Sequence, residues 1–220
     1  MGIINTASLA ATVDAVNLRL FLGQPIAQAD RSAASKWIAS RLGQLGSYRG
    51  MFAPTAGDFS KGIHLFTGEH VWTRAGTAHI LGQEACRVLH LLRPKEQATR
   101  QALFQACSWL DLVKDGFYCC GKCSASYWRH LVVGTVSNPQ DRLRDGLGRL
   151  KSCRTGDGQW KVFPFYYTLL AVAEIGPDLA AGELKYVAGR CERLLKRLRN
   201  GNGKFNARRA TLLKRVLAMV

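Results

Sequence analysis

The sequence predicts an all-α protein built from stacked helical hairpins. Apolar residues recur every three or four positions, the spacing of one helix face, as in Leu184, Val187, Cys191 and Leu194. Alternating apolar and polar runs bounded by hairpin turns, which indicate strands, are scarce. In addition, a unit in which a helix ends in Gly-X-aromatic and another helix follows occurs three times. These three observations together favour helix packed on helix.

Nine helices are expected, separated by loops that contain glycine or proline. In chain order they span 8–22, 31–44, 78–92, 96–113, 124–134, 140–152, 165–175, 179–199 and 206–218. The longest irregular piece is 46–77, between the second and third helices. A connection of this length inside a compact domain is often functional.

The repeated unit is visible when the helix ends are aligned. Its copies are "WIASRLGQLGSYRGMF" (37–52), "WLDLVKDGFYCC" (109–120) and "LGRLKSCRTGDGQWKVF" (147–163). A helix rich in small and aromatic residues follows each copy. Repeated helix pairs commonly stack, each covering the apolar face of its neighbour.

The third copy and the helix after it, "GDGQWKVFPFYYTLLAVAEI" (156–175), resemble the repeat of the prenyltransferase and squalene or terpene cyclase superfamily. The Gly-X-Trp turn of that repeat corresponds to Gly158, Gln159 and Trp160. The resemblance implies a partial α/α toroid, whose inner helices line a cavity, and a transferase-like or cyclase-like activity. The Asp-X-Asp-Asp motif of the cyclases and the Asp-X-Cys pair of protein prenyltransferases are absent, so the specific reactions of these two groups of enzymes do not carry over.

Length and composition favour one domain over 1–220, since 220 residues that are 47% hydrophobic can bury a sizeable core. The seven cysteines are an odd number and include an adjacent pair, which fits a reducing compartment better than a secreted disulfide framework. The first residues lack the basic start of a signal peptide, and no membrane span is apparent. We therefore expect a cytoplasmic protein, with an oligomer among its plausible forms.

The stretch "GFYCCGKCSASYWRHL" (116–131) contains the main candidate site. Cys120 and Cys123 form a CxxC at the expected start of a helix, where unpaired N–H groups and the helix dipole favour a thiolate. Metal binding, redox exchange and nucleophilic attack all suit such a pair, although the helical setting, in place of a strand followed by a helix, argues against exchange of the thioredoxin type. Zinc is the candidate cofactor, and four thiols could supply its ligands. These are Cys119, Cys120, Cys123 and Cys153.

The candidate catalytic residues are Cys120 and Cys123, supported by Asp157 and His79. An aromatic group near them is expected to line a pocket for a hydrophobic or thiol-bearing ligand, although aromatic stripes on helices are usually core. Its members are Trp128, Trp160, Phe163, Tyr166 and Tyr167. The preferred function is thus an enzyme-like site that uses a metal or a thiolate.

The C-terminal part, 179–220, is expected to form two basic amphipathic helices around the "NGNGK" turn (200–204). The whole chain has 31 Lys and Arg against 15 Asp and Glu, a net charge of +16. The candidate anion-binding residues are Arg193, Lys196, Arg197, Arg208 and Arg209. The alternative function is therefore a non-catalytic module that binds nucleic acid or an acidic partner. Attachment to an anionic membrane surface and a merely solubilising face are two other interpretations of the same charge.

Overall fold

A computed structural model describes residues 2–134, 136–198 and 203–220 and confirms the all-α prediction. Within these residues there are ten helices and one antiparallel pair of two-residue strands, in which Ile63 pairs with Val71 and His64 with His70. The helices are α1 (Leu9–Phe21), α2 (Gln28–Ala39), α3 (Ala56–Lys61), α4 (Arg74–Leu92), α5 (Gln97–Asp111), α6 (Gly121–Val132), α7 (Pro139–Ser152), α8 (Phe165–Ile175), α9 (Pro177–Leu198) and α10 (Lys204–Leu217). The strands are β1 (Ile63–His64) and β2 (His70–Val71).

The segment 46–77 contains more regular structure than the sequence indicated, because α3, β1 and β2 all lie in it. The helix α3 begins with a capping box: the Thr55 side chain accepts a hydrogen bond from the Asp58 N–H, and the Asp58 carboxylate accepts one from the Thr55 N–H. Such a cap fixes the first turn of a helix too short to show an apolar period. The pattern of spacing therefore missed it.

The helix α2 begins and ends earlier than the expected 31–44. It ends at Ala39 because the residues that follow are part of a closed loop. The Arg41 side chain donates to the carbonyl oxygens of Ala53 and Pro54, and Leu42 pairs with Phe52 in a single antiparallel bridge. A similar bridge, Arg154 with Trp160, closes the loop after α7. These two copies of the repeated unit thus have a related local form.

The chain divides into two compact units. The first comprises Met1–Phe66, His70–Lys114 and Val133–Ser137, and the second comprises Thr67–Glu69, Asp115–Val132 and Asn138–Val220. The expectation of a single domain and the toroid arrangement both stay predictions. No described helix has both the length and the apolar composition needed to cross a bilayer. Arg199 and residues 200–202 of the expected turn lie outside the described residues.

In the first unit, α4 packs against α1, α2, α3 and α5. Nearly every residue of α4 from Thr77 to Leu89 is buried, as expected of a central helix. Two of its buried charged residues, Glu84 and Arg87, are paired across to α1: Asn17 Nδ2 donates to Glu84 Oε2 at 2.9 Å, and Arg87 Nη1 donates to Asn17 Oδ1 at 2.8 Å. This pairing offsets the cost of burying charge.

In the second unit, α6 packs against α7 and α8, and α9 packs against α7, α8 and α10. The side chains of Trp128 and Tyr167 are almost completely buried in this core. The buried Arg129 guanidinium makes two hydrogen bonds to the Glu174 carboxylate on α8, at 2.8 and 3.0 Å. A planar two-point contact of this kind joins α6 to α8 in one orientation.

Candidate thiol site at the start of α6

The loop that leads into α6, residues 115–120, is held by three hydrogen bonds within the second unit. The Gly116 N–H donates to Asp145 Oδ2 at 2.8 Å, and the Gly116 carbonyl oxygen accepts from Trp128 Nε1 at 2.6 Å. The Tyr118 N–H donates to Ser124 Oγ at 3.0 Å. The residues just before the cysteines are therefore fixed to α6 and α7.

Close backbone contacts also define this region. A Cβ atom at Gly146 of α7 would lie 2.4 Å from Trp128 Nε1 and 2.8 Å from the Gly116 carbonyl oxygen. A Cβ atom at Gly121, the first residue of α6, would lie 2.3 Å from the Val162 carbonyl oxygen. Glycine is thus required at both positions for the loop and the helix start to approach their neighbours.

Cys120 is the N-cap residue of α6. Its carbonyl oxygen accepts the first hydrogen bond of the helix, from the Ser124 N–H at 2.8 Å. Its sulfur accepts hydrogen bonds from the backbone N–H groups of Lys122 and Cys123. A side-chain acceptor at this position satisfies N–H groups that have no partner inside the helix, and the helix dipole favours a negative charge there.

The two cysteines of the CxxC differ in exposure and in acidity. Cys120 is exposed, whereas the Cys123 residue is only 1% exposed. The Cys123 thiol, and then the two backbone N–H groups, lower the pKa of Cys120 from 9.0 to about 5, although partial burial opposes them. The hydrogen bond to Cys120, followed by burial, raises the pKa of Cys123. At neutral pH the pair is therefore an exposed thiolate and a buried thiol.

Cys119 is exposed and adjoins this pair. Partial burial is the largest cause that raises the pKa of Cys119, against a hydrogen bond with Cys123 that lowers it. The sulfur atoms of Cys119 and Cys123 lie within 4.8 Å of one another, close enough to bind one metal ion together. Two sulfur ligands are half of a tetrahedral zinc site.

Cys153 and Asp157 lie in surroundings different from those of Cys119 and Cys123. Cys153 is half-buried after α7, and among the described residues it belongs to no group of ligand atoms close enough to share an ion. Asp157 is bound within its own loop, accepting from Thr155 Oγ1 at 2.5 Å and Gln159 Nε2 at 2.7 Å. These hydrogen bonds lower the pKa of Asp157. His79 belongs to the first unit, where its ring lies 3.9 Å from that of Tyr48.

The aromatic residues expected to line a pocket are mostly core residues of the second unit. Trp128, Trp160, Phe163 and Tyr167 are buried, and Tyr166 is half-buried. The rings of Trp128 and Phe163 stack with centroids 5.5 Å apart. Four of these five aromatic residues are therefore core residues, as the alternative interpretation of the aromatic stripe predicted.

The predicted anion-binding residues fall into two groups. Arg193, Lys196 and Arg197 of α9 are exposed. Arg208 of α10 is buried, and the half-buried Arg209 donates from Nε to the Thr67 carbonyl oxygen at 2.7 Å. The exposed group is therefore limited to α9, whereas the two residues of α10 are part of the packing.

Sequence reasoning missed the residues that hold the site in place, namely Trp128 as a hydrogen-bond donor, Ser124, Asp145 and Gly146. Only Ser124 carried a signal, as a hydroxyl one residue after the CxxC. The partners Asp145 and Gly146 lie about thirty residues away on another helix. Their role depends on how α6 packs against α7.

Comparisons with protein-family models, with curated protein sequences and with solved structures each find no match. The resemblance of 156–175 to the prenyltransferase and cyclase repeat therefore stays a prediction. The chemistry of the site itself is the basis for a functional proposal.

Proposed function

We propose that Cys120 and Cys123 form a dithiol pair that exchanges with the disulfides of thiol-bearing substrates. The observation that carries this proposal is the contrast within the CxxC, where an exposed N-cap thiolate is followed three residues later by a buried thiol. Exchange requires an exposed thiolate that can attack the substrate disulfide, and a second thiol close enough to attack the mixed disulfide afterwards. A thiol that merely filled space would have no need of exposure or capping.

In the first step, the Cys120 thiolate attacks one sulfur of a substrate disulfide. A bond forms between Cys120 Sγ and that sulfur, the substrate S–S bond breaks, and the other substrate sulfur leaves as a thiolate. The low pKa of Cys120 keeps its sulfur ionised at neutral pH, so no separate base is needed to remove a proton.

In the second step, Cys123 loses its proton to the substrate thiolate released in the first step, and its sulfur attacks Cys120 Sγ. The mixed disulfide breaks, the remaining substrate sulfur leaves as a thiolate, and a Cys120–Cys123 disulfide forms. The largest cause of the raised pKa of Cys123 is its hydrogen bond to Cys120. That cause weakens once Cys120 loses its negative charge in the mixed disulfide. Across both steps the protein dithiol gives two electrons to the substrate disulfide. An external low-molecular-weight thiol then reduces the Cys120–Cys123 disulfide back to the dithiol.

The test uses oxidised glutathione as the substrate disulfide. Reduced protein is mixed with it, quenched by alkylation and mapped by mass spectrometry of its peptides. We expect a Cys120–Cys123 disulfide in the unmodified chain and a glutathione adduct that stays on Cys120 in Cys123→Ser. The matched control Cys153→Ser should behave as the unmodified chain does. Adducts spread evenly over the exposed cysteines would contradict the proposal.

Zinc binding is a second candidate function, favoured by the short distance between the sulfur atoms of Cys119 and Cys123. Elemental analysis of protein purified without chelator distinguishes the two candidates. Zinc near one equivalent that is lost in Cys119→Ser would favour the metal. Metal-free protein in which Cys119→Ser still forms the Cys120–Cys123 disulfide would favour exchange.

A non-catalytic interaction module remains the alternative from a different class. It is supported by the exposed cations of α9, Arg193, Lys196 and Arg197, which are spaced along one face of the helix. Nucleic acid or an acidic protein would be the partner. Its test is the salt dependence of that binding.

A further inference from the structure

A cavity of about 200 Å³ lies within the first unit. Its walls come from one face of α2, the end of α4, the connection after it and the first turn of α5. The lining residues are Gln28, Arg31, Ser32, Ser35, Leu92, Arg93, Pro94, Lys95, Glu96 and Thr99. Gln28, Arg31, Ser32 and Ser35 follow helical spacing, so α2 presents a continuous polar stripe to the cavity.

The lining carries three cations and one carboxylate. Glu96 is already engaged, since its Oε1 lies 2.9 Å from Lys36 Nζ. Arg31 donates from Nε to the Ile26 carbonyl oxygen at 3.0 Å, which orients the guanidinium. Among the described residues, none of Arg31, Arg93 and Lys95 has a carboxylate within ion-pair distance. The cavity therefore has an excess of positive charge, because its one carboxylate is already paired with Lys36, which lies outside the lining.

The start of α5 adds to this positive character. Its N-cap residue, Glu96, makes no side-chain hydrogen bond to the helix, and the first turn contains no acidic residue. The N–H groups of this turn thus lack the acceptor that usually satisfies them. Because the helix is 15 residues long, the positive end of a full helix dipole lies at the cavity.

Ser35 supplies an independent observation. The residue is 3% exposed, and its Oγ has no hydrogen-bond partner among the described residues. Buried hydroxyl groups are nearly always paired, and leaving one unpaired is costly. Because Ser35 lines the cavity, an acceptor oxygen bound there would satisfy it.

We infer that this cavity binds the phosphate group of a small molecule. Phosphate oxygens accept from guanidinium groups, from helix N-terminal N–H groups and from hydroxyl groups, which are the three kinds of donor around the cavity. The volume is below the range of about 300–1,000 Å³ that is usual for larger organic ligands. The site therefore suits a phosphate with a small attached group, such as a short phosphomonoester.

The test is titration of the full chain with inorganic phosphate, followed by calorimetry and by the thermal midpoint. We expect saturable binding and a midpoint that rises with phosphate concentration. The double variant Arg31→Gln, Lys95→Gln should bind at least about tenfold more weakly, since each charge-assisted contact is worth more than a neutral one. Lys61→Gln, an exposed cation of the same unit outside the cavity, should bind as the unmodified chain does.

Ser35→Ala separates a binding role from a structural one. It removes an unpaired hydroxyl, so the midpoint without phosphate should stay the same or rise. Phosphate affinity should nevertheless fall. No saturable binding, equal weakening by Lys61→Gln, or unchanged affinity in the double variant would each overturn the inference.

Discussion

The sulfur of Cys120 accepts hydrogen bonds from the first turn of α6, so helix capping and thiol reactivity depend on the same contacts. The N–H groups that stabilise the helix start also stabilise the thiolate. Serine can reproduce the cap but not the nucleophile, since its hydroxyl stays protonated. Cys120→Ser therefore separates chemistry from folding.

The rate at which Cys120 is alkylated should depend only weakly on pH. Because the pKa of Cys120 is lowered to about 5, its thiolate fraction is nearly constant above pH 6. Its reaction rate with iodoacetamide should be nearly flat from pH 6 to 8, whereas an ordinary thiol of pKa about 8.5 becomes roughly tenfold faster per pH unit. Peptide-resolved mass spectrometry measures both rates in one sample. A rate at Cys120 that climbs with pH as steeply as an ordinary thiol's would rule out the low pKa.

At the scale of elements, α7 offers a matched pair of glycines. A methyl group at Gly146 would clash with Trp128 and the Gly116 carbonyl, whereas one at Gly148 meets nothing within 4 Å. We expect Gly146→Ala to lower the free energy of unfolding by about 1–3 kcal/mol through overpacking.

Gly148→Ala should raise that free energy by about 0.5–1 kcal/mol, because alanine loses less conformational entropy in a helix. Urea unfolding measures both variants. Gly146→Ala should also speed hydrogen exchange at the Gly116 amide, since that amide is bound to Asp145 of the same helix. Equal effects of the two substitutions would show that the loop does not depend on this close approach.

Two ion pairs in the second unit provide a further contrast. Arg129 is 2% exposed where it meets Glu174, whereas Arg144 and Asp141 on α7 are 57% and 74% exposed. Glu174→Gln leaves a buried guanidinium with a weaker partner and should cost about 3 kcal/mol. Asp141→Asn should cost less than about 1 kcal/mol. Thermal or urea unfolding checks both, and a comparable cost for the two would contradict the assigned role of burial.

The sequence predicted most of the elements, because helical spacing is a local signal. Eight of the nine expected helices begin and end within a few residues of the observed ones, and α2 is the exception. The boundaries of α2 were wrong because Arg41 and Leu42 bind residues beyond position 50. The helix α3 was missed because a single capping box, and not an apolar stripe, defines it.

At the scale of the whole molecule, the CxxC could be recognised from the sequence, but the difference in exposure between its two cysteines could not. The exposure of Cys120 and the burial of Cys123 depend on α6 starting at Gly121, against residues 162–163. The phosphate cavity had no sequence signal at all. Its donors come from α2, from the end of α4 and from α5, and only packing brings them together.

If the protein is instead a module that binds nucleic acid, its net charge of +16 implies binding that depends on salt. Charge reversal of Arg193, Lys196 and Arg197 to glutamate should weaken binding to generic duplex DNA. It should also flatten the salt dependence by about one unit of slope for each phosphate that is no longer neutralised. Fluorescence anisotropy across salt concentrations measures this. The control is Cys120→Ser, which should bind DNA as the unmodified chain does, and absence of DNA binding at low salt would remove nucleic acid as a partner.

The carboxylate of Asp58 serves two helices that are far apart in the chain. Besides its part in the α3 capping box, it accepts from the Leu9 N–H at 2.9 Å and from Ser8 Oγ at 2.6 Å, at the start of α1. These contacts join residues about fifty positions apart, so the Leu9 N–H gains this acceptor only after a long loop has closed. The Ala11 N–H, in contrast, has a local acceptor in Ser8 Oγ. The Leu9 amide should therefore become protected from exchange later in refolding than the amides of Ala11 and Asp58, whose acceptors are local.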